Sequence, residues 1–172
     1  MLVRATGSED FQAVLDIVNA AARAYRNVIP ADCWREPYMS ARELEAEIAA
    51  GVVFRAAEEG AALCGVMGLQ DRGEVALIRH AYVTPARQRA GVGSALLRDA
   101  LERTRKPVLV GTWAAASWAV AFYRRNGFAL VSERDKDALL RRYWSVPARQ
   151  IETSVVLADR RWLETVGSAP PR

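Results

Sequence analysis

Apolar positions keep a helical period over the first fifty residues and a strand period over the next thirty. Phe11, Val14, Leu15, Val18, Ala21, Ala22 and Tyr25 recur at intervals of three and four, which predicts a long first helix with one buried stripe. Ser8-Glu9-Asp10 ahead of it supplies an N-cap and acids for the first turn, and 2–5 is a short candidate strand. A second helix follows Ser40, where Ser40 and Glu43 have capping-box spacing, Leu44 and Ile48 share a face, and Gly51 ends the run. Segments 52–57 and 62–70 read as antiparallel strands joined by the acidic turn Glu58-Glu59-Gly60, and Asp71-Arg72-Gly73 leads into a third strand over 75–83.

From there strands and helices alternate. Pro85 stops the third strand, and Ala95, Leu96, Leu97, Ala100 and Leu101 lay an apolar stripe along a helix that begins near Gly91. A strand over 108–112, a helix over 117–126, a strand over 128–132, a helical stretch holding Leu139 and Leu140, and a last strand over 152–157 paired with 128–132 complete the pattern. This order predicts an α/β sandwich with a mixed sheet. No repeat or linker divides the chain, so a single domain is expected over 1–158. The tail 159–172 lacks periodicity and is expected to be mobile, with Trp162 and Leu163 available to dock on a partner or a second subunit, a homodimer included.

Composition narrows the classes. A length of 172 residues at 51% hydrophobic content suffices for one core, no apolar run approaches a membrane span, and the start Met1-Leu2-Val3-Arg4-Ala5 has no signal-peptide character. A soluble, cytoplasmic protein with no membrane partner is expected. Cys33, Cys64 and the single histidine, His80, cannot furnish a zinc tetrad, so no metal is expected. The net charge of +4 comes from dispersed arginines rather than a basic stripe, which argues against a nucleic-acid partner.

Candidate chemistry concentrates where the third strand meets the following helix. There the first backbone N–H groups of the helix lack intrahelical partners, Gly91 and Gly93 permit close approach to them, and Arg87 and Arg89 add charge at the rim. A dinucleotide fingerprint is excluded because Ala95-Leu96 follow Gly93 with no third glycine, and a P-loop because Gly93-Ser94 lacks the lysine. What remains is Gln88-Arg89-Ala90-Gly91-Val92-Gly93, preceded by Val83-Thr84-Pro85. This segment resembles the acetyl-CoA pyrophosphate loop of the GNAT acyltransferases. Downstream, Ala119-Val120-Ala121-Phe122-Tyr123-Arg124-Arg125-Asn126-Gly127-Phe128 is similar to that family's Ala-x-x-Phe-Tyr-x-x-x-Gly-Phe helix.

The resemblance implies a mixed, mostly antiparallel sheet of six to seven strands flanked by helices and splayed at its two central parallel strands. It implies that backbone around Tyr82 and Val83 holds the pantetheine, and that the loop of Gln88, Arg89, Ala90, Gly91, Val92, Gly93 and Ser94 holds the pyrophosphate, with Ala119 and Phe122 beside the cofactor. A bulky residue at Gly91 is then expected to weaken CoA binding with little loss of folding. Tyr123 occupies the position that family members often use as general acid, and the thioester carbonyl is assigned to a backbone N–H near Tyr82. One departure is Ala116, where an asparagine commonly precedes the Phe-Tyr helix.

The base is a choice among His80, whose residue type titrates near neutral pH, the carboxylates Glu36 and Glu74, and a water chain. For the acceptor, Trp34, Glu36, Tyr38, Trp113 and Tyr143 are candidates to line a pocket for an amine through cation–π contact, with Glu36 as counter-charge. The expected activity is acetyl transfer from acetyl-CoA to a primary amine of a small molecule. A protein N-acetyltransferase, and a CoA-binding sensor without transferase activity, are the alternatives.

Overall fold

The computed structural model describes residues 1–167, and they form one twisted sheet with helices on both faces. The strands are β1 (Leu2–Ala5), β2 (Val52–Glu59), β3 (Ala62–Arg72), β4 (Val75–Val83), β5 (Val108–Trp113), β6 (Ala129–Leu130) and β7 (Ser154–Ala158). They lie in the order β1-β2-β3-β4-β5-β7-β6, with β4 and β5 parallel and the other neighbours antiparallel. The mixed sheet of the sequence reading is therefore present, with seven strands.

Helix α1 (Phe11–Ala22) lays Val14, Ile17 and Val18 over Phe54, Ala56 and Val66, and a 3-10 turn, Arg23–Tyr25, extends it. Val18 and Val66 are fully buried, which stabilises by roughly 1.5–3 kcal/mol per side chain of this kind. On the opposite face α3 (Val92–Glu102) and α4 (Ser117–Arg125) cover Ala76, Ile78, Val108 and Val110. Helix α5 (Glu133–Tyr143) packs Leu139, Leu140 and Tyr143 on Leu77, Leu109 and Val156.

Local rules explain where several elements begin and end. The capping box opening α2 (Ala41–Ala49) is formed: Glu43 N–H donates to Ser40 Oγ at 3.2 Å and Ser40 N–H to Glu43 Oε2 at 2.8 Å. Ahead of α1 the cap differs from expectation. Ser8–Asp10 is a 3-10 turn capped by Gly7, Asp10 stands at the N-cap of α1, and Asp10 Oδ2 accepts from the Gly7 N–H at 2.9 Å and from Arg4 at 2.7 Å. Those two partners hold the Asp10 carboxyl down to about 2.

Four further readings are corrected. Leu44 is buried but Ile48, expected on the same face, is 47% exposed, because α2 turns Glu43 and Glu47 inward instead. The strand after Gly127 is only Ala129–Leu130, since Ser132 caps α5 directly after it. The last strand begins at Ser154, preceded by α6 (Ala148–Thr153), which periodicity had not distinguished. The tail is not structureless throughout: α7 (Arg160–Gly167) is anchored by Arg161, which donates to the carbonyls of Leu101, Thr104 and Lys106. The remainder of the tail, 168–172, lies outside the described residues.

Candidate active site

Strands β4 and β5 pair only through Ala76–Val108, Leu77–Leu109 and Ile78–Val110. Beyond Ile78, β4 runs on to Val83 and β5 to Trp113 with no ladder pair between them among the described residues. The cause is a bulge in β4. Its register with β3 passes from Gly68–Arg79 to Val66–Tyr82, so His80 and Ala81 together oppose Met67 alone. An extra residue bends a strand and sharpens its twist, and here His80 takes a φ of 49°.

The bulge also shifts which side chains face which way. Ala76 and Ile78 point into the core under α3 before it, and Ala81 and Val83 do so after it. Arg79 and His80 consequently both meet α2. Arg79 Nη2 donates to Glu47 Oε1 at 2.9 Å, His80 Nε2 lies 2.9 Å from Glu47 Oε2, and the imidazole stacks on Phe54 with ring centroids 5.9 Å apart.

Two cavities open from the gap. The first, about 680 Å³, is bordered by Tyr82, Val83, Gln88, Arg89, Gly91, Gly93 and Ser94, and by Ala119, Phe122 and Tyr123 across the gap. It has the marks of an anion site. Arg89 and Gly91 both adopt left-handed backbone, at φ 62° and 84°, which turns nearby N–H groups into a concave nest at the start of α3. Arg87 Nε is buried without a hydrogen-bond partner among the described residues, while the same guanidinium is paired with Glu59. A Cβ on Gly93 would stand 3.3 Å from the Phe122 ring, so a side chain there would have to push that ring aside.

Gly91 behaves differently from the sequence expectation. A Cβ there meets nothing within 4 Å, but φ is +84°, so replacement strains the backbone as well as the cradle. Of the other loop residues expected at the cofactor, Ala90 is exposed and Val92 is 1% exposed in the core, and neither borders this cavity. Ala116 is fully buried at the N-cap of α4 with no side-chain cap.

The second cavity, about 650 Å³, lies on the α2 side. Tyr38, Met39, Trp113 and Trp144 form its apolar wall, and Trp113 Nε1 donates to Tyr38 Oη at 3.0 Å. Its charged lining is paired: Glu47 with Arg79 and His80, Glu43 with Arg35, and Asp32 with Arg149 at 3.0 Å. Tyr25, Ile78, His80, Tyr82, Gly111 and Thr112 border both cavities.

The structure thus gathers Tyr38 and Trp113 with His80, and leaves other candidates aside. Trp34 supports the wall from behind, stacking on Tyr38 at 5.7 Å, without bordering either cavity. Glu36 is exposed on the loop between α1 and α2 and borders neither. Tyr143 lies at the far end of β4, its hydroxyl donating to Glu74 at 2.9 Å, which removes both from the gap. Glu47, Tyr25 and Trp118 are the residues that sequence reasoning missed. Glu47 could have been found from its i, i+4 spacing to Glu43 on a helix too polar to bury every face. For Tyr25, only the side chains it meets distinguish it from core: it stacks on Trp118 at 5.7 Å and lies edge-on to Tyr82 at 6.3 Å.

Burial sets the ionisation of these groups. It pushes the Tyr25 phenol up to about 12, with the Tyr82 and Thr112 hydroxyls opposing, and raises Tyr82 and Tyr123 as well. For Glu47 burial alone would raise the carboxyl, but His80 and Arg79 outweigh it and the net shift is downward. Tyr123 is held edge-on by Phe122 at 5.0 Å and by Phe128 at 5.6 Å.

A family model described as an acetyltransferase (GNAT) domain matches residues 15–141, well over half of the chain. The chain belongs to the GNAT acetyltransferases. Solved structures of similar fold include a paia N-acetyltransferase from Thermoplasma acidophilum in complex with coenzyme A, with 18% identity, a TM-score of 0.70, and coverage of 92% of this chain and 97% of that one. A GNAT-family acetyltransferase from Staphylococcus aureus Mu50 has 14% identity and a TM-score of 0.69, with 92% and 97% coverage. A ribosomal-protein-alanine N-acetyltransferase from Brucella melitensis has 18% identity and a TM-score of 0.64, with 92% and 99% coverage. No curated protein matches the sequence. In this GNAT chain no helix among the described residues is long and apolar enough to cross a membrane, and no cluster of three or more His, Cys, Asp or Glu among them is placed to hold a metal.

Proposed function

We propose that this acetyltransferase moves an acetyl group from acetyl-CoA to the primary amine of a small molecule with an apolar or aromatic body, with both substrates bound at once. The observation that carries the reading is the shared border of the two cavities, where His80, Tyr82, Tyr25 and Thr112 are open to either side. Groups held in the two cavities can therefore meet inside the sheet. The loop-side cavity fits CoA by three independent features: the left-handed nest at Arg89 and Gly91, the partnerless Arg87 Nε, and the side-chain-free approach at Gly93. A relative of the same fold is described in complex with coenzyme A, which supports the same ligand.

Acetyl-CoA supplies an acyl group activated as a thioester. The chain's own contribution begins with the β5-facing edge of β4 at Tyr82 and Val83, which no strand covers and along which an extended ligand can lie. His80 is the base that takes the proton from the amine, being the titratable group on the shared border whose residue type suits that task. Tyr123 faces the loop-side cavity and stays protonated because burial raises it. The same burial makes it a weak acid, so its part is a hydrogen bond to charge developing on the departing sulfur.

A small acceptor is favoured by the size of the second cavity and the tie across its rim. Its volume suits a compact ligand, and the Asp32–Arg149 ion pair ties the loop before α2 to α6 across it, where an extended polypeptide would need an open groove. The test is thiol release from acetyl-CoA across a panel of aromatic amines, aliphatic amines and peptides with free N-termini. Turnover with the aromatic amines above the rest is expected. Turnover restricted to the peptides assigns a protein substrate, and CoA binding without release from any amine assigns a sensor.

A further inference from the structure

We propose that Glu47 is a positioning residue for His80, holding the imidazole by Nε2 and so fixing the tautomer that leaves Nδ1 as the proton-accepting nitrogen. The inference rests on the reading of His80 as the base. Three contacts restrain the ring from different elements. Glu47 on α2 lies 2.9 Å from Nε2, Phe54 on β2 stacks against the ring face, and the bulge in β4 fixes the backbone that carries it. A carboxylate can only accept, so the nitrogen facing it carries the proton in the neutral ring.

Glu47 itself is a poor candidate for the base. Arg79 donates to its other oxygen at 2.9 Å, and the two partners together keep it ionised. The proton inventory closes without a further reactant. As the amine lone pair forms the new bond to carbon, the N–H proton passes to Nδ1, whose lone pair receives it. The imidazolium is then held against the Glu47 carboxylate until water removes the proton, while the electron pair of the breaking C–S bond leaves with sulfur.

The chain has a single histidine, so nitrogen-detected NMR of the imidazole reports on this residue alone. In the full-length protein, at a pH where the ring is neutral, the Nε2–H tautomer is expected to dominate. In Glu47→Gln the amide can donate as well as accept, so the tautomers mix, and kcat falls on the order of a hundredfold while the KM for acetyl-CoA stays within about twofold. Glu47→Asp, which keeps the carboxylate, restores part of both. A dominant Nδ1–H form in the unaltered protein overturns the proposal without any variant having to fold. An unchanged tautomer in a folded Glu47→Gln protein overturns it as well. If the tautomers mix and kcat does not change, positioning by Glu47 stands and the assignment of His80 as base is the part that fails.

Discussion

One wall of the loop-side cavity is a continuous stretch, from Tyr82 to Ser94, and the end of α1, β3, β5 and α4 enclose the rest. The second cavity is assembled from the loop before α2, α2 itself, β4, β5, the end of α5 and α6. Along the wall from Tyr82 to Ser94 a ligand would meet backbone amides and few side chains. In the second cavity it would meet rings and paired charges that no short segment contains. Recognition by backbone is therefore local and carried by small residues, whereas recognition by side chains is distributed and carried by large ones. Substitutions should separate the two sides cleanly.

The largest effect is expected at the border. His80→Gln should lower kcat by about 10²- to 10⁴-fold and leave acetyl-CoA affinity by calorimetry unchanged. A parallel loss of affinity would mean that the cavities do not act independently. Gly93→Val comes next: its side chain would press on the Phe122 ring, and acetyl-CoA binding should weaken at least tenfold, or about 1.4 kcal/mol, with little change in the acceptor KM. Gly91→Trp serves as its contrast, because the strain at φ +84° should lower the Tm as well as the affinity.

On the other side, Tyr38→Phe leaves the buried Trp113 Nε1 without its acceptor. About 1 kcal/mol of stability should be lost in denaturant unfolding, with a rise in acceptor KM and unchanged CoA affinity. The smallest effect is a shift in alkaline titration. Tyr25, Tyr38, Tyr82, Tyr123 and Tyr143 are all raised above the ordinary phenol value, chiefly by burial. A group raised in the folded state stabilises fully below its unfolded pKa and loses that contribution as pH climbs through the folded one. Stability should therefore hold up to about pH 10 and decline above it, with tyrosinate absorbance rising together with unfolding. Ionisation of any tyrosine in the native protein near pH 10 would contradict the enclosure of the aromatic cluster.

The same division explains what could be read from the chain before its structure. The loop from Val83 to Ser94 and the Phe122-Tyr123 helix were legible because backbone recognition writes itself into consecutive small residues and fixed spacings. Strand pairing was legible too, through alternation and turn residues. Tyr143 was misplaced because an aromatic residue at the end of an amphipathic helix looks the same in sequence whether it ends in a core or in a cleft. Glu47 was missed because its meaning depends on Arg79 and His80, thirty-two and thirty-three residues away, being turned toward it together. Simple alternation along β4 would have put Arg79 and His80 on opposite faces.

That last point gives the bulge a consequence for tolerance to change. It acts as a frame shift in three dimensions: every side chain of β4 from His80 onward takes its face from the presence of one extra residue. A substitution at Ala81 could be absorbed locally. Deleting that residue would instead restore plain alternation, turn His80 away from Glu47 toward the α3 face, and invite β4 and β5 to zip past Ile78 and close the gap. In this strand length is a more guarded property than composition, and insertions or deletions should be excluded from it where point changes are not.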